Sequence, residues 1–213
     1  ERLFLAAFSD ARAIPAGTTL ETDIAIVGGG AAGITLALAL AEKPMKVLML
    51  ESGGTSFDEK TQSLYAGTQT GVTYLSLQNS RQRYLGGSTN HWGGWCRPLD
   101  KSDFDARSWV PYSGWPFSRA ELEPYFPRAQ AFVEAGALDY DEKCKPWVDA
   151  FGQPLKLGDG GVYTSWFQFS KMRGSVLPTN FGERYAPDLK KQSHLTTLLH
   201  ANVTNIALAS DTN

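Results

Sequence analysis

The chain has 213 residues, enough for one or two domains with a sizeable core. Twenty Lys and Arg against 22 Asp and Glu give no field strong enough to recruit nucleic acid or an anionic membrane, and no apolar run reaches the roughly 18 residues of a spanning helix. Cys96 and Cys144 are too few to define a disulfide framework, leaving one bridge between them open, and three well-separated histidines make no zinc set.

In chain order, residues 1–20 read as an N-terminal arm, with Leu3, Phe4, Leu5 and Phe8 docking it on the body or on a partner subunit. Thr22-Asp23-Ile24-Ala25-Ile26-Val27 is a short β-branched run, as a buried parallel strand should be. Gly28-Gly29-Gly30-Ala31-Ala32-Gly33 follows at once and fits G-x-G-x-x-G. Ile34 to Ala41 continues with helix formers, and Lys46 to Leu50 is a second apolar strand. Glu51 closes the unit 18 residues after Gly33, near the roughly 20 that separate a dinucleotide fingerprint from its ribose-binding acid. In such a device Gly28 permits the tight turn, Gly30 lets backbone approach a pyrophosphate, and Gly33 lets helix and strand pack closely. The helix N-terminus offers N–H groups to phosphate, and Glu51 would accept from ribose hydroxyls while repelling a 2′-phosphate, which argues against NADP. The plain alternative is an apolar βαβ unit with a glycine turn and no ligand.

Arg81 to Pro98 is too rich in glycine, tryptophan and small polar residues for an ordinary helix or strand. Glycine pairs at 86–87 and 93–94 permit positive φ and close approach to something flat or bulky. Ser88, Thr89 and Asn90 offer short hydrogen-bonding groups, while Trp92 and Trp95 offer broad apolar walls. The choice lies between a surface turn and a loop lying against a cofactor, and the fingerprint upstream favours the cofactor. Ser118-Arg119-Ala120-Glu121 predicts a capped helix running to about Val133, with Pro124 bending its first turns. Asp139 to Glu142 reads as a solvated turn, and His194 and His200 as ordinary histidines; Trp166, Phe167 and Phe169 read as core in preference to a substrate cleft. Leu198 to Ala209 alternates like a strand and Asp211 to Asn213 reads like the start of a turn, so the chain reads as an N-terminal portion whose remainder is removed or lies in another chain.

Gly28-x-Gly30-x-x-Gly33, Glu51 and Arg83-x-Leu85-Gly86-Gly87-Ser88-Thr89 together resemble the glucose–methanol–choline (GMC) oxidoreductases, which bind FAD. Asp103-Phe104-Asp105, Ser113-Gly114-Trp115-Pro116 and Leu122-x-Pro124-Tyr125-Phe126-x-x-Ala129 sit where the family has comparable pieces. So do Thr179 to Tyr185 and the strand near Ala201-Asn202-Val203, so the likeness runs from about residue 22 to the end. Asn90-His91-Trp92 is most similar to the pyranose-oxidase and sugar-dehydrogenase branch, although the commoner family pattern has Asn in place of Trp92.

The resemblance implies an α/β fold. A Rossmann-like FAD-binding domain with a parallel sheet would occupy 21–135, an excursion into a substrate domain 136–194, and a return to the first domain 195–213. It implies FAD contacts from Gly28, Gly30, Ala31, Gly33, Glu51, Ser52 and Arg83, then from Gly86, Gly87, Ser88, Asn90, His91, Trp92 and Val203. No metal is implied. In pyranose oxidases the histidine of this loop is joined to the 8α-methyl of the flavin. His91 is therefore a covalent anchor, a non-covalent flavin contact as in sugar dehydrogenases, or a packing residue beside Trp92.

The implied activity is FAD-dependent oxidation of an alcohol, foremost a hydroxyl of a sugar or glycoside, with hydride passing to flavin N5. A general base must take the hydroxyl proton. In the family that base is a histidine, beside a second His or Asn, in the C-terminal part; no residue here matches it, so the 213 residues alone are expected to be inactive. The implied partners are a small-molecule substrate, an electron acceptor of unspecified kind, and the C-terminal remainder or a partner subunit, with an oligomer left open. Neither nucleic acid nor a membrane span is expected, and the cytoplasm is preferred to an exported location. Two rival readings remain: an NAD-dependent dehydrogenase, which leaves the 83–97 loop without a purpose, and a non-catalytic Rossmann-type subunit of a complex.

Overall fold

The computed structural model describes residues 5–141, 145–155, 162, 164–171 and 178–208. The expectations for Leu3, Phe4, Glu142, Cys144 and residues 209–213 lie outside them. The described strands are β1 (Phe8–Asp10), β2 (Ile24–Val27), β3 (Val47–Leu50), β4 (Trp95–Cys96), β5 (Gln168–Phe169) and β6 (Leu195–Leu199). The α-helices are α1 (Ala31–Ala41), α2 (Glu59–Gln62), α3 (Leu77–Ser80), α4 (Lys101–Phe104), α5 (Arg119–Leu122), α6 (Phe126–Phe132), α7 (Lys145–Phe151) and α8 (Phe181–Lys191). They form two compact units, one made of Glu1–Trp92 with Asn180–Asn213 and the other of Gly93–Thr179.

In the first unit four strands lie in the order β1-β6-β3-β2, every neighbour parallel. Inner strands of a parallel sheet are covered on both faces, and Val47, Leu48 and Met49 of β3 are accordingly all buried. β2, α1 and β3 make the βαβ unit that the sequence predicts. α1 buries Ile34, Ala37 and Ala41. It packs on β2, β3 and α8. α8 is amphipathic: Phe181, Gly182, Tyr185 and Leu189 are buried, and Arg184 pairs with Asp188 at 3.1 Å on its outer side. This helix falls in the segment the sequence reading gives to the substrate excursion, yet its buried face meets α1 and β6.

Part of the N-terminal arm joins this sheet. Phe8 stands opposite Thr197, and the Lys190 ammonium lies 5.0 Å from the Phe8 ring centre. The strand expected over 198–209 begins earlier, at Leu195, and stops at Leu199. The register gives the reason: Leu50 ends β3 opposite Leu198, and Asp10 ends β1 opposite Leu199, so no ladder partner remains beyond them. His200 turns the chain out of the sheet at φ 53°, and residues 201–208 carry no strand.

In the second unit β4 and β5 pair antiparallel, Trp95 opposite Phe169 and Cys96 opposite Gln168. Gln168 is the buried member. Its Nε2 donates to the carbonyls of Ala137 (2.6 Å) and Asp139 (2.9 Å), and its Oε1 accepts from Gln130 (2.8 Å). Pleating then turns Phe167 and Phe169 the other way, 42% and 43% exposed, edge-on to a Trp95 that is 62% exposed. The reading of these two rings as core is therefore wrong, because a buried glutamine claims the inward face. The capping box holds: Glu121 accepts from the Ser118 N–H at 2.8 Å. The helix passes through a 3-10 turn, Glu123–Tyr125, at Pro124 and resumes as α6 with Val133 at its C-cap.

Among the described residues, no helix is long and apolar enough to cross a membrane, and no three His, Cys, Asp or Glu cluster as metal ligands.

Candidate functional site

Gly28 opens the fingerprint at φ +101°, in the left-handed region that side chains avoid, and a Cβ there would meet nothing. Its glycine is demanded by conformation alone. Gly33 is demanded by space, since a Cβ would lie 1.9 Å from the Gly28 carbonyl oxygen. Between them Gly30 caps α1 without a side chain, so the first N–H groups of the helix, from Ala31 onward, have no side-chain acceptor. An uncapped N-terminus at the carboxyl end of a parallel strand suits a phosphate.

Glu51 stands at the end of β3 and is buried. Its Oε2 accepts from the Gly29 N–H at 2.7 Å, and its Oε1 accepts from the Gly53 N–H at 2.9 Å and the Ser52 hydroxyl at 3.1 Å. Oε1 has both of its lone-pair sites engaged, while Oε2 keeps capacity for one further donor. The same residue is pinned through its backbone: its N–H donates to Leu198 (2.9 Å), and its carbonyl accepts from Ala201 (2.8 Å).

The second glycine loop interlocks with the first. The Gly86 N–H donates to the Gly29 carbonyl at 2.7 Å, and Gly30 and Gly86 form a parallel β-bridge. Gly86 and Gly87 both have positive φ, +99° and +52°. A Cβ on Gly86 would meet Asn90 Oδ1 and the Gly182 nitrogen, each at 2.7 Å; one on Gly87 would meet Gly30 Cα at 3.0 Å. The close approach that the sequence pattern implies is thus made first by the protein's own backbone. Thr89 clamps the far side, its hydroxyl donating to Gly86 (2.6 Å) while accepting from the Phe181 N–H (3.0 Å). Asn90 Nδ2 donates to the Leu85 carbonyl at 3.1 Å, whereas its Oδ1 is buried without a hydrogen-bond partner.

Arg83 lies over the Tyr65 ring at 4.7 Å and donates to Asn202 Oδ1 at 2.5 Å. Its backbone N–H donates to buried Gln62, whose Nε2 donates to the carbonyls of Gln78 and Arg81. Ser88 is exposed and its carbonyl accepts from the His91 N–H. His91 is exposed, with Nδ1 3.0 Å from Gln82 Nε2. An amide nitrogen only donates, so this contact asks the imidazole to accept at Nδ1. Trp92 is half-buried and meets Phe181 edge-on, ring centres 6.4 Å apart. Val203 lies beyond β6, in the stretch that carries no strand.

The structure thus brings Gly28 to Gly33, Glu51, Ser52, Gly86, Gly87 and Asn90 into one backbone-lined cradle. Sequence reasoning missed Gly53, Gly54 and Gly182. A Cβ on Gly53 would lie 1.9 Å from the Arg83 carbonyl oxygen, and one on Gly182 would lie 2.2 Å from that of Leu85. The Gly53-Gly54 pair directly after the acid was the signal available; Gly182, inside a helix, gave none. Gly94, also read as part of a cofactor loop, has its space taken within the second unit, where a Cβ would lie 2.6 Å from Pro178 Cβ.

The cradle, the uncapped helix end and the buried acid fit a dinucleotide. A family model described as FAD dependent oxidoreductase matches residues 23–167, well over half of the chain. The chain belongs to the FAD-dependent oxidoreductases. Among solved structures it is similar to pyridoxine 4-oxidase from "Mesorbium loti", at 22% identity over 84% of this chain and 42% of that chain, with a TM-score of 0.43. The chain therefore spans less than half the length of that protein. No curated protein matches it. Membership of the family makes FAD the cofactor, so the nicotinamide reading falls away.

Proposed function

We propose that the chain is the FAD-binding part of a GMC-type oxidoreductase, of the pyranose-oxidase and sugar-dehydrogenase branch, that oxidises a sugar or glycoside hydroxyl. The observation that carries this reading is the bond from the Gly86 N–H to the Gly29 carbonyl. It gives the 83–92 loop a purpose that a plain nicotinamide domain does not ask of it. On this reading the N-terminus of α1, with Gly28, Gly30, Ala31 and Gly33, takes the pyrophosphate, and Glu51 with Ser52 takes the ribose. Arg83, Gly86, Gly87, Ser88, Asn90, His91, Trp92 and Val203 supply the remaining contacts. FAD, when bound, supplies the hydride acceptor. The residues of this chain bind and orient it.

The general base lies outside these 213 residues. His194 precedes β6, at the end of the sheet opposite Glu51, and the His200 ring packs at Gly54. His91 belongs to the cofactor loop and is the residue to test as a covalent anchor. An absorption spectrum of the purified full-length protein, repeated after acid precipitation, tests the scheme. Flavin in the pellet, moved to the supernatant by His91→Ala, supports the anchor; flavin in the wild-type supernatant makes His91 a contact only. No flavin from a well-folded preparation would sink the whole reading. Reduction of an artificial acceptor by a panel of sugars and simple alcohols then decides the substrate class.

A further inference from the structure

His200 stands in a backbone conformation uncommon for a residue with a side chain. It sits at φ 53°, in the left-handed region that Gly enters freely and that Asn, Asp and His enter more readily than other residues. Its backbone ties two segments together: the His200 N–H donates to the Gly53 carbonyl at 2.9 Å, and the next N–H, of Ala201, donates to the Glu51 carbonyl at 2.8 Å. Its ring lies against Gly54, where a Cβ would be only 2.9 Å from both Cε1 and Nε2. On the other side the turn cannot yield, because Gly53 is already against the Arg83 carbonyl and the Gly54 carbonyl accepts from the Leu85 N–H at 2.9 Å. The turn from Glu51 to Gly54 is thus held between the imidazole and the second glycine loop. That turn also carries the Ser52 hydroxyl and Gly53 N–H that orient the Glu51 carboxylate.

We infer that His200 is a positioning residue for cofactor binding: its imidazole, seated where Gly54 leaves room, fixes the turn that aims Glu51 at the ribose. The inference rests on the proposed role of Glu51. The strained backbone persists because the surrounding contacts over-determine it.

The test uses full-length apoenzyme and two probes, ADP and 2′,3′-dideoxy-ADP, titrated by calorimetry. Wild type should prefer ADP by about tenfold, since a lost hydrogen bond to a charged acceptor is worth that much. His200→Gly and His200→Asn, both at ease at positive φ, should weaken ADP about five- to tenfold and leave the dideoxy analogue unmoved. Gly54→Ala, which drives the ring away from the other side, should give the same signature even if the His200 variants melt early. Variants that keep the wild-type preference would overturn the role of His200 while leaving Glu51 in place. A wild type that binds both probes equally would instead overturn the role of Glu51, and this inference with it.

Discussion

Gly33 and Gly86 both lack a side chain, and the atoms that forbid one come from different distances along the chain. At Gly33 the obstacle is the Gly28 carbonyl, five residues away in the same turn. At Gly86 it is the Gly182 nitrogen and the Asn90 side chain, and the residue is also held at φ +99°. The first loop is a local device that any βαβ unit with this spacing builds for itself. The second loop acquires its shape only when α8 arrives to close it. A glycine motif can therefore report either a short-range turn or a long-range assembly, and its spacing alone does not say which.

Substitutions can break this comparison. Gly33→Ala and Gly182→Ala place a methyl against backbone oxygen, which cannot move aside, so each should cost about 3 kcal/mol or more and yield protein without flavin. Equal losses in thermal melting would show that the long-range contact is as strict as the local one; a Gly182→Ala protein that melts like wild type would remove α8 from the lock. Gly86→Ala meets both a left-handed backbone and a clash, and about 2 kcal/mol is expected by the same measurement.

Glu51→Gln sharpens the picture at the junction of the loops. A glutamine has one acceptor oxygen, so one of the Gly29 and Gly53 N–H groups loses its partner, and FAD titration should show a loss of about 1–3 kcal/mol in binding. Arg83→Lys keeps the charge but loses the planar stack on Tyr65 and the bond to Asn202, a loss of about 1 kcal/mol in a denaturant titration. The smallest effect lies at the sheet edge. Hydrogen bonds from the Arg12 side chain and N–H hold the Asp10 carboxyl at about 2, below its ordinary 3.8. A depressed carboxyl stabilises the fold above its ordinary value and loses that contribution as pH falls from 3.8 toward 2. Asp10→Asn should flatten the acid limb of the stability curve slightly, since the pair is exposed.

The βαβ unit and the Ser118 capping box were legible because each of their signals, an apolar β-branched run, a glycine spacing, a cap with its reciprocal acid, is written within a few consecutive residues. The role of Trp95, Phe167 and Phe169 was not. A run of aromatics says that something apolar is wanted, but which face points inward depends on pairing, and here Gln168 and Ser170 took the inside. The second glycine loop was half legible: its residues, Thr89 among them, were singled out and the Gly53-Gly54 pair after Glu51 stood in plain view, yet Gly182, which locks the loop from α8, carries no signature at any fixed spacing.

By itself, the sequence determined a glycine turn between two apolar strands with a carboxylate at the end of the second. Backbone sterics and side-chain period act over a few residues and need no partner to be read. Tertiary structure alone decided where the last strand stops, which aromatics face out, and what the glycines at 86 and 182 are for. Those outcomes depend on which backbone atoms from distant segments come to share the same few ångströms.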